Sequence, residues 1–169
     1  YLGLNIEDQT DIFGNTAEVL DVQFFLIDLS EAQTGAVVIN EFMYDPEGMM
    51  TEFVELYNHT GRNFDLSGWF FNDNTGNRRV ITDTNFELAT RSYVVLVPDS
   101  SLIEQFPTRN IIVMGSRFSS LNNSTDAIVI SNADSVIIDS LTYSSAWGGD
   151  GVSLERLSPN APSIYRENW

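Results

Sequence analysis

VVINEFMYDPEGMMTEFVELYNHTGRNFDLSGWFFND, residues 37–73, carries three short apolar runs separated by turn chemistry. Val37-Val38-Ile39 leads into Asn40-Glu41. Between Glu52 and Asn58, charged or polar residues alternate with apolar ones, the period of a strand with one buried face. Phe64-Asp65-Leu66-Ser67-Gly68-Trp69-Phe70-Phe71 closes the unit. Asp, Asn, Gly and Ser cluster at the breaks, where short polar side chains bond the local backbone and glycine tolerates positive φ.

The same rhythm continues outward. Strands are expected near 37–44, 52–58, 64–72, 78–82, 92–97, 110–114, 127–132, 135–142 and 151–157. Asn132-Ala133-Asp134 reads as a tight hairpin turn, and Gly76-Asn77 as a further turn. One short helix is expected at Ser100 to Phe106, with Ser100 or Ser101 as cap, Glu104 behind it and Pro107 as stop. Many short strands with polar turns predict an all-β sandwich. Residues 1–35 differ from the rest: they hold seven acids and no base. Two apolar runs, Tyr1 to Ile6 and Val19 to Leu29, flank the turn-rich Asp8 to Asn15, and Glu31 to Gly35 reads as a linker. The abrupt strand-like opening reads as a piece of a longer protein.

Composition narrows the function classes. A chain of 169 residues buries about 70% of its unfolded surface and needs no staple. Cysteine is absent, which removes disulfides and thiolate metal sites. The formal net charge is −16, and all eight basic residues are arginine. Such a chain repels phosphate, so neither nucleic acid nor an anionic membrane surface is an expected partner. The acidity reads as a solubility device in preference to an adaptation to a salty habitat. No run approaches the ~20 apolar residues of a membrane span; the longest, Val22 to Leu29, is interrupted by Gln23 and Asp28.

The phrases I-N-E (39–41), E-F-V-E-L-Y-N (52–58) and D-L-S-G-W (65–69) together resemble the lamin tail domain. The resemblance extends over roughly 36–158 through Tyr93 to Val97, Asp139 to Tyr143 and Gly151 to Arg156. Strand, loop with Asp11-x-x-Gly14-Asn15, strand in turn resembles the closing hairpin of a bacterial immunoglobulin-like module. The resemblance implies an immunoglobulin-like two-sheet β-sandwich over 36–169, with an N-terminal β-hairpin extension and linker over 1–35. It also implies a non-catalytic accessory, adhesion or spacer module of a larger bacterial protein, secreted or held at the cell surface beside neighbouring domains. The partner contacts of nuclear lamins do not transfer with the fold.

Several residues are candidates for chemistry. Glu41, Glu52 and Glu55 offer a metal site or acid–base groups. Glu52 and Glu55, read as sharing one strand face, are the pair a hydrolase would need. A solvated strand face or a turn-fixing bond is the preferred reading, and the resemblance agrees, because these acids belong to the family's fold signature. Asp45 and Glu47, with Asp73 and Asn77, are the oxygen ligands a calcium site would use; otherwise no cofactor is expected. Thr84 stands where a calcium loop places its bidentate glutamate, so turn formation is preferred. His59, the only histidine, lies in a polar turn with no nucleophile elbow in the chain. Trp147 and Tyr143 are the candidate ligand-binding aromatics, which would make the domain a carbohydrate- or polymer-binding module. Capping the core is the preferred role for Trp147, and Trp69 is expected inside the core. Arg78 and Arg79 would point to opposite faces of a strand and make no patch. A protein or glycan partner is left open.

Overall fold

The computed structural model describes residues 2–6, 20–24, 32–106 and 110–169. Strands β1 (Leu2–Ile6) and β2 (Leu20–Phe24) pair antiparallel, with Leu4 opposite Val22. The expected loop Asp8 to Asn15 lies outside the described residues, as do Glu31 of the linker and Pro107.

Two larger sheets follow. The first has five strands in the order β10-β9-β4-β3-β13: β10 (Ile111–Val113), β9 (Tyr93–Val97), β4 (Phe53–Asn58), β3 (Val37–Met43) and β13 (Leu154–Glu155). All neighbours are antiparallel except β10 and β9, which run parallel. The second has four strands in the order β12-β11-β6-β7: β12 (Ile137–Ser144), β11 (Thr125–Ser131), β6 (Phe70–Asn72) and β7 (Arg79–Val80). A small pair, β5 (Phe64–Asp65) with β8 (Glu87–Leu88), completes the β structure. The single described α-helix, α1, spans Ser101–Gln105.

Alternation builds the core. Val54 and Leu56 of β4, Val94 and Leu96 of β9, and Ile39 and Phe42 of β3 meet Phe71, Ile128, Ile130, Leu141 and Tyr143 of the other sheet in one buried cluster. Apolar area removed from water at about 25 cal/mol per Å² is the main force joining two such faces. Trp69, 1% exposed, sits in this cluster beside Phe64 with ring centroids 6.3 Å apart. Its expected core position is what the fold gives it.

The expected strand 64–72 is two strands with a turn between them. Asp65 accepts the Ser67 N–H at 2.9 Å and the Ser67 hydroxyl at 2.8 Å. Gly68 then adopts φ +72°, a conformation that favours glycine over residues with a Cβ. The chain therefore leaves β5, with its partner β8, and enters the four-stranded sheet at Phe70. Asp65 also accepts from Phe86 N and Asn85 Nδ2, at 2.9 and 2.6 Å, and so fixes the return crossing. The helix expectation holds, but its cap differs: Ser100 makes no side-chain cap bond, and Asp99 Oδ1 accepts the Ser101 N–H at 2.8 Å. The Asn132 turn forms as expected, with Asn132 Oδ1 accepting the Val136 N–H at 2.8 Å and Ser135 at φ 70°.

Candidate functional site

The inner faces of both sheets are filled by the core cluster, and a groove opens on the outer face of the five-stranded sheet. Along β4, Val54 and Leu56 point inward while Phe53, Glu55 and Tyr57 are half-buried on the other side. Along β9, Val94 and Leu96 are buried, Tyr93 is exposed and Val95 half-buried. Outward positions of a one-sided sheet are ordinarily polar; here they include Phe53, Tyr57, Tyr93, Val95 and Ile111 beside Glu41 and Glu55. Leu102 and Phe106 from the α1 segment and Met50 from the loop before β4 join Met43, Phe53, Val95 and Ile111 in lining a groove of about 670 Å³. Phe106 is 56% exposed and Tyr93 43% exposed, large apolar surface left facing water.

Two carboxylates line the same groove. Glu41 lies on β3 just past a register shift between Ile39 and Glu41, and pairs directly with Glu55 of β4. The shift leaves Asn40 unpaired in the ladder, and its Nδ2 donates to Glu55 Oε1 at 2.9 Å. The Ser153 hydroxyl donates to Glu41. Burial raises the Glu55 pKa above its ordinary value; the Asn40 bond opposes this, and the charges of Glu41 and Glu155 add to the rise. Tyr93 is raised too, by burial first and then by Tyr57, Glu55 and Glu155. The Tyr57 and Tyr93 rings stack at 4.4 Å with an interplanar angle of 18°.

Glu52 and Glu55 do not share a face. Three positions apart in a structure of period two, they fall on opposite sides. Glu52 turns to the loop after Phe118 and accepts the Leu121 N–H at 2.9 Å, while Glu55 faces the groove. Burial raises the Glu52 pKa as well, against the Leu121 bond. His59 donates through Nε2 to the Gly35 carbonyl at 2.5 Å and closes the segment that precedes β3.

Tyr143 is not a ligand-stacking residue. It is fully buried, its ring stacks on Tyr44 at 4.6 Å, and its hydroxyl donates to the Asn122 carbonyl at 2.7 Å, so neither ring face can meet a sugar. Trp147 is half-buried and packs against the core cluster. It lies in the 3-10 turn Ser145–Trp147, which Ser144 caps by accepting the Ala146 N–H at 3.3 Å.

The four oxygen-ligand candidates belong to two loops. Asp73 accepts the Thr75 N–H at 2.8 Å and the Thr75 hydroxyl at 2.5 Å, and Asn77 Nδ2 donates to Thr75 at 3.0 Å. Asp45 accepts from Asn123, and the Glu47 carbonyl accepts the Met50 N–H at 3.2 Å. The Asp73, Asn77 and Glu47 bonds serve turns, and the Asp45–Asn123 bond ties its loop to the segment before β11. Among the described residues, no three His, Cys, Asp or Glu side chains are grouped to hold a metal ion.

Buried polar groups that sequence patterns did not mark hold the frame of this site. Asp126, 1% exposed, accepts from Asn74 N, Asn122 N, Asn122 Nδ2 and Ala127 N at 2.6–3.1 Å. Arg156 pairs with Asp139 at 2.8 Å and donates to the Ile39 carbonyl at 2.6 Å and the Ala161 carbonyl at 2.9 Å. Asp139 also accepts the Ile39 N–H at 2.8 Å. Arg156 opens the polar run 156–163 and Asp126 follows a polar run of its own, so in sequence both look exposed.

No curated protein matches the chain. The Lamin Tail Domain family matches it over residues 30–145, which contain β3 to β12 and both large sheets except β13. With well over half of its length matched and a two-sheet β fold to go with it, the chain belongs to the lamin tail domain family of non-catalytic immunoglobulin-like domains.

Proposed function

We propose that this domain is a non-catalytic recognition module of a larger secreted or surface-attached bacterial polypeptide, and that it binds a protein partner through the outer face of its five-stranded sheet. One observation carries the reading: on a chain of net charge −16, a groove of about 670 Å³ among the described residues opens Met43, Met50, Phe53, Val95, Leu102, Phe106 and Ile111 to one space. Apolar surface left open on an otherwise charged protein commonly marks an interaction site. The family supports a role without catalysis, and the acidity supports a partner other than nucleic acid or anionic lipid. Adhesion, or attachment of neighbouring domains to a target, is the task such a face serves.

Panning a random-peptide phage library on the immobilised chain tests this. Enriched peptides are expected to bind the parent and the Trp147→Ala variant and to lose Val95→Arg, which fills the groove. Peptides that keep Val95→Arg and lose Trp147→Ala would move the site to the loop end. The stacked Tyr57–Tyr93 pair on an open sheet face favours a second reading, carbohydrate binding. A glycan array separates the two, since a sugar ligand would bind with Tyr93→Ala as the damaging change.

A further inference from the structure

We propose that the groove receives a partner peptide with a cationic side chain set between apolar ones, the cation seated on Glu41 and Glu55. This rests on the groove being the binding site of the domain.

The strand register carries the argument. Glu155 of β13 pairs with Glu41 of β3, and Glu41 pairs with Glu55 of β4. Three carboxylates thus stand in one row across three adjacent strands. Directly opposed side chains lie about 5 Å apart at Cβ, and like charges in that relation destabilise a sheet. Among the described residues, the hydrogen bonds to this pair come from neutral donors, the Asn40 amide for Glu55 and the Ser153 hydroxyl for Glu41; Arg91 also lines the groove but makes no ion pair with either. A guanidinium or ammonium group placed over the half-buried Glu41 and Glu55 would relieve the repulsion and gain charge-assisted hydrogen bonds.

The same row continues into apolar surface. Glu55 pairs with Val95, and Val95 with Ile111. A ligand lying across the strands therefore meets carboxylates on one half and aliphatic side chains on the other. Met43 and Met50 also line the groove, and their flexible thioethers adapt to varied apolar shapes. Phe106 and Ile103 add exposed apolar area around α1 that a small amine would leave wet, which favours a peptide over a free cation. A second copy of this chain, itself at −16, would bring acid to acid.

The test uses two acetylated pentapeptides of sequence LFXLA, with X arginine in one and its neutral isostere citrulline in the other. Binding to the full chain is followed by isothermal titration at low salt, with chemical-shift mapping to place the contact. The arginine peptide is expected to bind about tenfold or more tightly than its citrulline twin. That gap should close in Glu41→Gln/Glu55→Gln and in high salt, while Val95→Arg abolishes binding of both. Melting curves verify that each variant is folded, and Glu55→Gln alone serves if the double variant is not. Equal affinity of the two peptides would overturn the cation seat and leave the groove standing. Binding of neither peptide, or binding indifferent to Val95→Arg, would remove the groove and the cation seat together.

Discussion

Glu41 and Glu55 face each other directly across β3 and β4, on the outer side of the sheet. Opposed like charges are rare choices for a strand pair, because each lowers the stability of the other's ionised form. Replacing either with its neutral amide removes the repulsion and keeps the shape. Glu41→Gln is therefore expected to stabilise the free chain by about 0.2–1 kcal/mol. Urea unfolding at neutral pH and low salt reads this directly. A variant less stable than the parent would show that the Ser153 bond to the carboxylate outweighs the repulsion.

Acid should first help this protein and then harm it. The Glu55 and Glu52 carboxyls have pKa values raised above their ordinary 4.5, in both cases chiefly by burial. Their folded forms hold a proton more tightly than the unfolded chain does. Their ionisation opposes folding at neutral pH, and that opposition fades as pH falls through the raised values toward 4.5. Asp65 behaves oppositely: burial pushes its pKa up, but the donors from Phe86, Ser67 and Asn85 outweigh it and hold it below 3.8. Its stabilisation is full above 3.8 and is lost as pH falls through the lowered value. The melting temperature is expected to rise from pH 7 to about pH 5 and to fall below about pH 3.5. A profile that declines steadily from pH 7 would contradict the Glu52 and Glu55 assignments.

The Arg156–Asp139 pair is buried, with side chains 1% and 12% exposed. Removing one partner strands the other away from water. Asp139→Ala is expected to destabilise by about 3–5 kcal/mol. Arg156→Met combined with Asp139→Leu should recover much of that loss, since an apolar pair leaves no uncompensated charge. Chemical denaturation of the two variants beside the parent measures both effects.

Calcium is expected to stabilise no more than sodium chloride of equal ionic strength. Asp45 and Asp73 already accept hydrogen bonds from Asn123 and Thr75, so their loops are shaped without an ion. General screening of the excess negative charge remains, and any salt supplies it. Melting curves in millimolar calcium, in chelator and in matched sodium chloride decide this. A calcium-specific rise lost in Asp73→Ala would place an ion at the 73–77 loop.

Much of the frame was legible because burial imposes period. Val54 and Leu56, or Val94 and Leu96, announce an inward face by alternation alone. The break at Leu66 to Trp69 was not, since Asp65-Leu66-Ser67-Gly68 continues an apolar rhythm that only the Asp65 bonds interrupt. Parallel pairing of β10 with β9 depends on how the chain returns through α1, which no local pattern encodes. The groove did leave a trace: Phe53 and Tyr57 occupy outward positions where a solvated face would carry polar groups. Attention to Trp147 and Tyr143 followed the convention that loop aromatics bind ligands, but Tyr143 belongs to a strand whose inward side it completes. Nothing in the local pattern marks the burial of Asp126 or the partial burial of Asp139, because the donors that hold them come from distant segments.

The bonds around Ile39 also decide how this domain carries load. Its N–H is held by Asp139 of the opposite sheet, its carbonyl by Arg156, and Arg156 grips the following segment at Ala161. Tension arriving along β3 from one flank and along the 156–169 strap from the other meets at this one shackle. Separating that strap from β3 must break these polar bonds together with the contact of Trp169 on Phe42, whose ring centroids lie 5.1 Å apart. The fastening is thus polar at Ile39 and apolar at Phe42, and it clamps the strap to the same strand that carries Glu41.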